Sequence, residues 1–305
     1  MPSVSPSSPN ADLPLWLRLL ARLPFGSLYA LAAALALLLR YVLHYRVSVA
    51  RSNLQRSFPD LPPRRIESIL NDYYRRLGQI IAECLKLATI SAEELRQRVI
   101  ITNLHLLQRE IDAGRSVILL AAHLGNWEWQ LQGTAVQIQS PIDAAYKPLH
   151  GARSNRLLLQ LRSRFGARMV AAKKLMRVVA RSRGAVHVVA LMADQIPASS
   201  SGRHWLNFLG RETAFYPGPG EIARLTGYTA LFAGMRRCSR GHYEITFQPL
   251  ATAGEPCEPQ AFTARYAQLL EAQIRQDPAN WMWSHRRWKL APPVATTAAG
   301  QAASG

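Results

Sequence analysis

The stretch SVILLAAHLGNWEWQ (residues 116–130) places a continuous apolar run directly before a glycine, an asparagine and a helix-compatible segment. An apolar run without alternation is typical of a strand that is buried on both faces of a parallel sheet. Gly125 permits a tight turn, and Asn126 is a favoured residue at the N-terminus of a helix. The stretch therefore predicts a central strand that ends near His123 and a helix that begins after Asn126.

The rest of the chain repeats this alternation of strand and helix patterns. Apolar runs recur at 186–193 and 228–234, and an alternating run follows at 242–250. Helical patterns cover most of 46–98 and return at 103–113, 155–164, 173–183, 221–225 and 259–275. Such alternation predicts an α/β fold with a central, largely parallel sheet flanked by helices.

Composition divides the 305 residues into four predicted segments. Residues 1–14 are rich in Ser and Pro and residues 291–305 are of low complexity, so both ends are predicted to be disordered. Residues 46–290 are predicted to form the α/β domain. Residues 15–45 are predicted to form a membrane-associating helix.

That apolar segment is uncharged from Phe25 to Leu39. An uncharged core of this length is shorter than the roughly 20 residues that span a bilayer comfortably. The segment is compatible with a marginal transmembrane helix, with a helix lying in the membrane interface, and with a buried core helix. More Lys and Arg residues follow the segment than precede it, which places the main domain on the cytoplasmic side of the membrane.

The formal net charge of +18 indicates an anionic partner, either nucleic acid, a membrane leaflet or an acidic protein. No nucleic-acid reading module is recognisable and the arginines are spread through the chain, so no nucleic-acid partner is expected. The three cysteines are far apart and form no CxxC pair, so neither a metal site nor a disulfide framework is predicted. The sequence likewise predicts no cofactor.

His123 and Glu128 are the first candidates for catalysis. On one continuous helix, five residues correspond to about 500 degrees of rotation, which would leave the two side chains about 140 degrees apart. The predicted bend instead brings both to the carboxyl edge of the sheet, where open α/β folds place their sites. Glu128 could then hold one imidazole nitrogen of His123 while the other nitrogen accepts a proton. The spacing is equally compatible with a strand-end histidine and a carboxylate that compensates the helix dipole.

The segment HLGNWE resembles the H-x4-D/E motif of membrane-bound glycerolipid acyltransferases. The form matches the bacterial late acyltransferases of lipid A biosynthesis and their lysophospholipid acyltransferase relatives. Further blocks resemble this family in the same order, from about Leu15 to Leu290: NLQRSFPDLP (53–62), YKPL (146–149), RSRFGARMV (162–170), ADQ (193–195), NFLGRETAFYPGPGEIARLTG (207–227) and NWMWSHRRWK (280–289).

The resemblance implies transfer of a fatty acyl group from the thioester of an acyl carrier protein to a hydroxyl group of a lipid acceptor. It implies that His123 is the general base, that Glu128 orients and charges it, and that no acyl-enzyme forms. A lipid A precursor is the expected acceptor, and a lysophospholipid, an amino-acid lipid or a pigment precursor are the alternatives. The expected location is the cytoplasmic face of the bacterial inner membrane.

Six other side chains are candidates for the oxyanion or for substrate. Arg164 is the first choice for the oxyanion, with Arg162 second and Lys147 third, and each is also compatible with a solvated surface position. Asp194 and Gln195 end the 186–193 run and so reach the same sheet edge as His123; Asp194 could also cap a turn. Asn126, the predicted helix cap, completes the set.

Two further patterns leave alternatives. GPGEIA (218–223) fits the dinucleotide fingerprint, but no buried strand is predicted before it and no acidic residue follows at the required spacing, so a cofactor role is not expected. The family resemblance implies instead that this block, with Thr213, is a loop and helix start that lines the site or the acyl groove. Trp281 and Trp283 are expected to pack in the core, whereas Trp288 is compatible with packing and with a membrane interface. A non-catalytic basic membrane protein and a degenerate acyltransferase scaffold are the competing functions.

Overall fold

The computed structural model describes residues 14–149, 151–182, 184–197 and 202–292. The predicted disordered segments at the two ends of the chain lie almost wholly outside the described residues.

The strands form one large sheet and one separate hairpin in the described part of the chain. In chain order they are β1 (Val99–Ile101), β2 (Val117–Ala121), β3 (Ile142–Tyr146), β4 (Arg168–Ala171), β5 (Val188–Met192), β6 (His204–Phe208), β7 (Arg211–Phe215), β8 (Thr229–Ser239) and β9 (His242–Ala251). The large sheet has the order β1-β9-β8-β2-β5-β3-β4, and β6 with β7 forms the hairpin. All neighbours in the large sheet are parallel except the antiparallel pair β8 and β9.

Helices surround this sheet. They are α1 (Leu15–Arg22), α2 (Phe25–Leu37), α3 (Val47–Ser57), α4 (Pro63–Lys86), α5 (Ala92–Arg98), α6 (His105–Asp112), α7 (Trp127–Ala135), α8 (Ala152–Arg162), α9 (Leu175–Arg181), α10 (Gly218–Thr226) and α11 (Pro259–Gln276). The predicted α/β fold with a largely parallel central sheet is therefore confirmed.

Strand β2 is the centre of the sheet, as its apolar run predicts. It pairs in parallel with β5 on one side and with β8 on the other. The side chains from Val117 to Leu120 are buried. Because β2 has no exposed face, every position favours an apolar side chain, and alternation is absent.

Three strands of the large sheet and the hairpin were not predicted. Strands β1, β3 and β4 have only three to five residues. Asp143 lies inside β3, where the side chains of Arg168 and His187 donate hydrogen bonds to it. A charged residue in a five-residue strand removes the apolar pattern on which sequence reasoning depends.

The predicted single helix over residues 15–45 is broken. Leu23 and Pro24 separate α1 from α2, and α2 continues into a π-helical turn from Leu38 to Val42. Proline lacks a backbone N–H and favours a position at the start of a helix, so the chain turns at Pro24. By length and composition, Phe25–Val42 could cross a membrane.

Helix α2 packs along α4 of the main domain. A Cβ atom at Gly78 would lie 2.5 Å from the carbonyl oxygen of Ala32, so the two backbones approach closely at this glycine. Tyr29 donates a hydrogen bond to Glu83, and Arg40 forms an ion pair with Glu67 near the other end. The outward face remains apolar and exposed; it carries Leu31, Leu37, Leu38, Tyr41 and Val42.

Candidate active site

The bend after β2 forms as the sequence predicts. Gly125 has a φ of +54°, which favours glycine, and Asn126 accepts a hydrogen bond from the Trp129 amide (3.0 Å) as the cap of α7. The Gly125 amide donates to the Asn280 carbonyl (2.8 Å), and the Met282 amide donates to the His123 carbonyl (3.2 Å). The segment after α11 therefore fixes both sides of the bend.

The carboxylate that contacts His123 is Asp194. The Nδ1 atom of His123 lies 2.8 Å from Oδ1 of Asp194, and the His123 amide donates to Oδ2 at 3.0 Å. The register of β2 and β5 explains the pair. Ala121 of β2 is opposite Met192 of β5, and His123 and Asp194 each follow two residues after these positions. Trp281 Nε1 also donates to Oδ2 of Asp194 at 2.9 Å. Asp194 is thus held by three donors at the carboxyl edge of the sheet, with Nδ1 protonated.

The pair is electrostatically coupled. Burial alone would lower the pKa of the His123 imidazole, but the Asp194 carboxylate outweighs it, so the pKa lies above its ordinary value. Burial would raise the pKa of Asp194, but the contacts from His123 lower it to about 2. Asp194 is therefore ionised at neutral pH and stabilises the imidazolium form of His123.

Gln195 contacts the other imidazole nitrogen. Its Nε2 atom lies 3.1 Å from Nε2 of His123 and 3.9 Å from Sδ of Met282. With Nδ1 protonated toward Asp194, Nε2 is the acceptor of the Gln195 amide. A substrate hydroxyl that delivered its proton to Nε2 would replace this hydrogen bond.

Glu128 does not pair with His123, contrary to the predicted dyad. Arg162 Nε donates to Oε2 of Glu128 at 2.8 Å, and a second guanidinium nitrogen donates to Oε1. Trp127 Nε1 also donates to Oε1 of Glu128 (3.2 Å), and its ring packs edge-on against His123 with centroids 5.1 Å apart. Glu128 is the second residue of α7, and its carboxylate contacts the last residue of α8 instead of His123 across the bend. Glu128 raises the pKa of His123 only through space, as a more distant negative charge.

The two candidate arginines make different contacts. Arg162 is the last residue of α8 and reaches Glu128, whereas Arg164 lies beyond that helix. Arg164 donates to the carbonyl oxygens of Leu87 and Ile90, which follow α4. Arg164, the first choice for the oxyanion, is therefore committed to backbone carbonyl oxygens, whereas Arg162, the second choice, contacts Glu128.

Two other candidates make no hydrogen bond to the imidazole in the described part of the chain. Lys147 follows β3 and is exposed. Asn126 is fully buried; besides capping α7 it donates to Oε2 of Glu83 at 2.7 Å, so its amide is occupied by structural contacts. Their expected contact with substrate is not supported by this geometry.

Arg287 is a buried cation that sequence reasoning missed. It is 2% exposed, its guanidinium lies over the ring of Phe215, and none of its three guanidinium nitrogens has a hydrogen-bond partner among the described residues. Burial lowers its pKa to about 10, partly offset by the negative charge of Asp194. The nearby His285 accepts a hydrogen bond from the Ile196 amide, and burial lowers its pKa to about 4. The only sequence feature that pointed to Arg287 was its position among the tryptophans of residues 280–289.

Aromatic side chains form the wall behind the pair. Trp281 and Trp283 are buried and pack edge to face, as predicted. Trp288 is partly buried and donates to Oγ1 of Thr213 at 2.7 Å, which resolves its position in favour of packing. Gly218 begins α10 beyond the hairpin strand β7, so no buried parallel strand leads into the GPGEIA segment.

The arrangement is suited to proton transfer. Nε2 of His123 can accept a proton while Asp194 holds Nδ1–H, which is the geometry of a general base with an orienting carboxylate. Cys84 is close enough to Glu128 and Arg162 to be affected by their charges, but burial raises the pKa of its thiol well above the ordinary value. It is therefore a poor nucleophile. Among the described residues, no three His, Cys, Asp or Glu side chains come together as a metal site requires.

Comparison with known proteins gives a family match. Residues 14–290 match the model of a family described as bacterial lipid A biosynthesis acyltransferase. The chain is 25% identical over 280 residues to the lipid A biosynthesis palmitoleoyltransferase of Escherichia coli (strain K12), covering 91% of this chain and 89% of that protein.

Two other relatives carry the same type of name. A lipid A biosynthesis acyltransferase of Shigella flexneri is 25% identical over 280 residues, with 91% of this chain and 89% of the relative covered. One of Haemophilus influenzae is 24% identical over 261 residues, with 82% and 80% covered. The matched regions include β2, α7 and every candidate residue discussed above.

Proposed function

Because this chain belongs to the bacterial lipid A biosynthesis acyltransferase family and is an acyltransferase, we propose that its acceptor is a lipid A precursor and its donor an acyl carrier protein thioester. The observation that carries the proposal is the His123–Asp194 pair at the carboxyl edge of the sheet. The names of the relatives support the acceptor. The net charge of +18 supports an acidic donor, since opposite charge accelerates encounter.

His123 Nε2 accepts the proton of the acceptor hydroxyl as its oxygen attacks the thioester carbonyl carbon. The C–O bond forms, the carbonyl oxygen takes up negative charge, and Asp194 stabilises the imidazolium. Collapse of the tetrahedral intermediate breaks the C–S bond, and the imidazolium returns its proton to the leaving thiolate. The products are an ester and a free carrier thiol, and the base is regenerated.

Arg162 is the proposed donor to the oxyanion. Two of its N–H groups are held by Glu128, which fixes the plane of the guanidinium and leaves further N–H donors. Glu128 is then a positioning residue for Arg162 rather than the partner of the base. In this proposal the two residues of the H-x4-E motif belong to different pairs. His123 pairs with Asp194 for proton transfer, and Glu128 pairs with Arg162 for charge stabilisation.

We place the enzyme on the cytoplasmic face of the inner membrane. The exposed apolar residues of α2, such as Leu31 and Leu37, supply a surface for the acyl region of a leaflet. Trp16 and Leu19 of α1 are also exposed and extend this surface. A lipid acceptor would then enter the site without leaving the membrane.

Acceptor identity is tested by lipid mass spectrometry of a deletion strain. We expect loss of one acyl chain from lipid A and restoration by the wild-type gene. Unchanged lipid A together with an altered phospholipid, amino-acid lipid or pigment would overturn the acceptor assignment. Purified protein incubated with acyl carrier thioester alone should carry no bound acyl group, because attack by the acceptor is direct.

A further inference from the structure

A second polar cavity lies outside the His123 site. Its volume is about 450 Å³, and its lining includes four arginines from α4, from the end of β8 and from the turn that follows β8: Arg75, Arg76, Arg237 and Arg240. Gln79, Cys238 and Ser239 complete the lining. No carboxylate lines the cavity.

The positive charge of this cavity is only partly neutralised. Arg75 pairs with Asp72 and Arg76 pairs with Asp277. Arg237 donates to the neutral Gln79 side chain, and the Arg240 guanidinium lies over the ring of Tyr29. Among the described residues, neither Arg237 nor Arg240 has an ion-pair partner.

Two buried donors in the same cluster lack partners. The Nε atoms of Arg76 and Arg237 are inaccessible and make no hydrogen bond within the described residues. A ligand in the cavity would therefore meet the remaining guanidinium N–H groups of these arginines, and an anion with several oxygens would accept hydrogen bonds from them. Phosphate offers such oxygens and pairs well with clustered guanidinium groups.

Arg76 lies between the cavity and the surroundings of His123. The same side chain lines a small apolar slot whose other walls include Leu77, Ile80, Trp127 and Met282. Trp127 packs against His123, and the Met282 amide is hydrogen-bonded to the His123 carbonyl. The arginine-lined cavity and the surroundings of His123 are therefore neighbouring regions of the molecule.

The cavity also lies beside the apolar helix. Arg240 contacts Tyr29 of α2, and a Cβ atom at Gly241 would lie 2.2 Å from the Tyr29 hydroxyl oxygen. The turn that carries Arg240, directly after β8, is thus packed against the helix whose outer face is exposed and apolar. A lipid headgroup at the membrane surface is better placed to reach it than a group from an acidic protein.

We propose that Arg75, Arg76, Arg237 and Arg240 form a binding site for the phosphate of a phosphorylated lipid acceptor. This inference rests on the proposed function, because it assigns the phosphate to the lipid that is acylated. The site holds the acceptor by its phosphate, so that one particular hydroxyl reaches Nε2 of His123. It determines acceptor selection and contributes nothing to the chemical step.

The kinetic test uses two acceptors that differ only in phosphate, one native and one treated with phosphatase. Arg75→Gln/Arg240→Gln changes two exposed side chains, and Arg177→Gln/Arg181→Gln on α9 is the control with equal charge loss. We expect the first variant to raise KM for the phosphorylated acceptor about tenfold, with kcat and the dephosphorylated acceptor unaffected. The control should behave as wild type. A rise in KM for the acyl carrier thioester, with acceptor KM unchanged, would assign the cavity to the donor and overturn the proposal.

A binding test does not depend on turnover. The full chain is sedimented with phosphatidylcholine vesicles containing either phosphatidic acid or the same molar charge of oleic acid. Wild type and the α9 control should prefer phosphatidic acid, and Arg75→Gln/Arg240→Gln should lose that preference. Equal losses in both variants would show general electrostatic attraction and contradict a site. If wild type transfers no acyl group to any acceptor, the proposed function fails, and the vesicle result still decides whether phosphate binds.

Discussion

Nδ1 of His123 lies 2.8 Å from Oδ1 of Asp194, although 71 residues separate the two in the sequence. Strands β2 and β5 are paired so that both side chains emerge level at the carboxyl edge of the sheet. The neighbouring Glu128, five residues from His123, is instead held by Arg162. In the proposed mechanism, the base and the charge-stabilising group are therefore served by different carboxylates.

The first prediction concerns Asp194→Asn. The raised pKa of His123 means that its neutral, active form is lost as pH falls through that raised value. Asparagine removes the negative charge while burial remains, so the acid limb of kcat/KM should move to lower pH. The maximal rate should fall about 10²- to 10⁴-fold, since the imidazolium and its tautomer lose support. Rates measured across pH test this, and an acid limb that stays in place would refute the coupling.

The second prediction distinguishes the two carboxylates. If Glu128 acts through Arg162, then Glu128→Gln and Arg162→Gln disrupt the same unit, and their effects should not add. We expect each single variant to lower kcat about 10²-fold and the double variant to be little worse. Single-turnover rates of all three proteins provide the measurement. Fully multiplicative losses would mean that Glu128 and Arg162 act independently.

The third prediction is that Arg164 stabilises the fold and takes no part in the reaction. Its guanidinium donates to two backbone carbonyls after α4. Arg164→Gln should lower the free energy of unfolding by about 2 kcal/mol, and kcat at a temperature where the protein stays folded should change less than about twofold. Denaturant unfolding and initial rates test both parts. A large loss of kcat with unaltered stability would restore Arg164 to the site.

The fourth prediction concerns Arg287, a buried cation without a hydrogen-bond partner in the described part of the chain. Replacing such a group with an apolar side chain of similar length is often neutral or stabilising, because the cost of burying charge is removed. Arg287→Met should therefore keep or raise Tm, which thermal unfolding of the two proteins measures. A Tm that falls by several degrees would instead show that the guanidinium over the Phe215 ring stabilises the fold.

The fifth prediction concerns membrane attachment. Leu31→Gln/Leu37→Gln removes two exposed apolar side chains from α2. Burial of each leucine contributes about 1.5–3 kcal/mol when complete, so binding to neutral vesicles should weaken at least about tenfold. Met176→Gln/Leu225→Gln changes exposed apolar residues elsewhere and is the matched control. Equal vesicle binding by both double variants would exclude α2 as the attachment surface.

Local signals in the sequence predict the bend at the site correctly. The apolar run of β2, Gly125 and Asn126 each act over a few residues, and they define the strand end, the turn and the helix cap. Asp194 was likewise assigned to the correct edge of the sheet. Its contact with His123 could not be derived, because it depends on β2 and β5 being neighbours. Strand order is a property of the whole chain.

The direction of side chains was the second property that could not be predicted from the sequence. Arg162 and Arg164 are two residues apart, and only the last turn of α8 decides that the first faces Glu128 while the second faces the carbonyls after α4. The helix break at Pro24 was available in the sequence, since proline interrupts helices, but the apolar pattern on both sides concealed it. The burial of Arg287 depends on contacts with distant Phe215 and has no local signal.

The central claim is that His123 is the general base of direct acyl transfer. It is tested most directly by the single-turnover rate from an acyl carrier thioester to a lipid A precursor, comparing wild type, His123→Ala and the exposed control His105→Ala. We predict that His123→Ala is slower by at least about 10³-fold with an unaltered fold, and that His105→Ala equals wild type. Acyl transfer by His123→Ala at the wild-type rate would contradict the account.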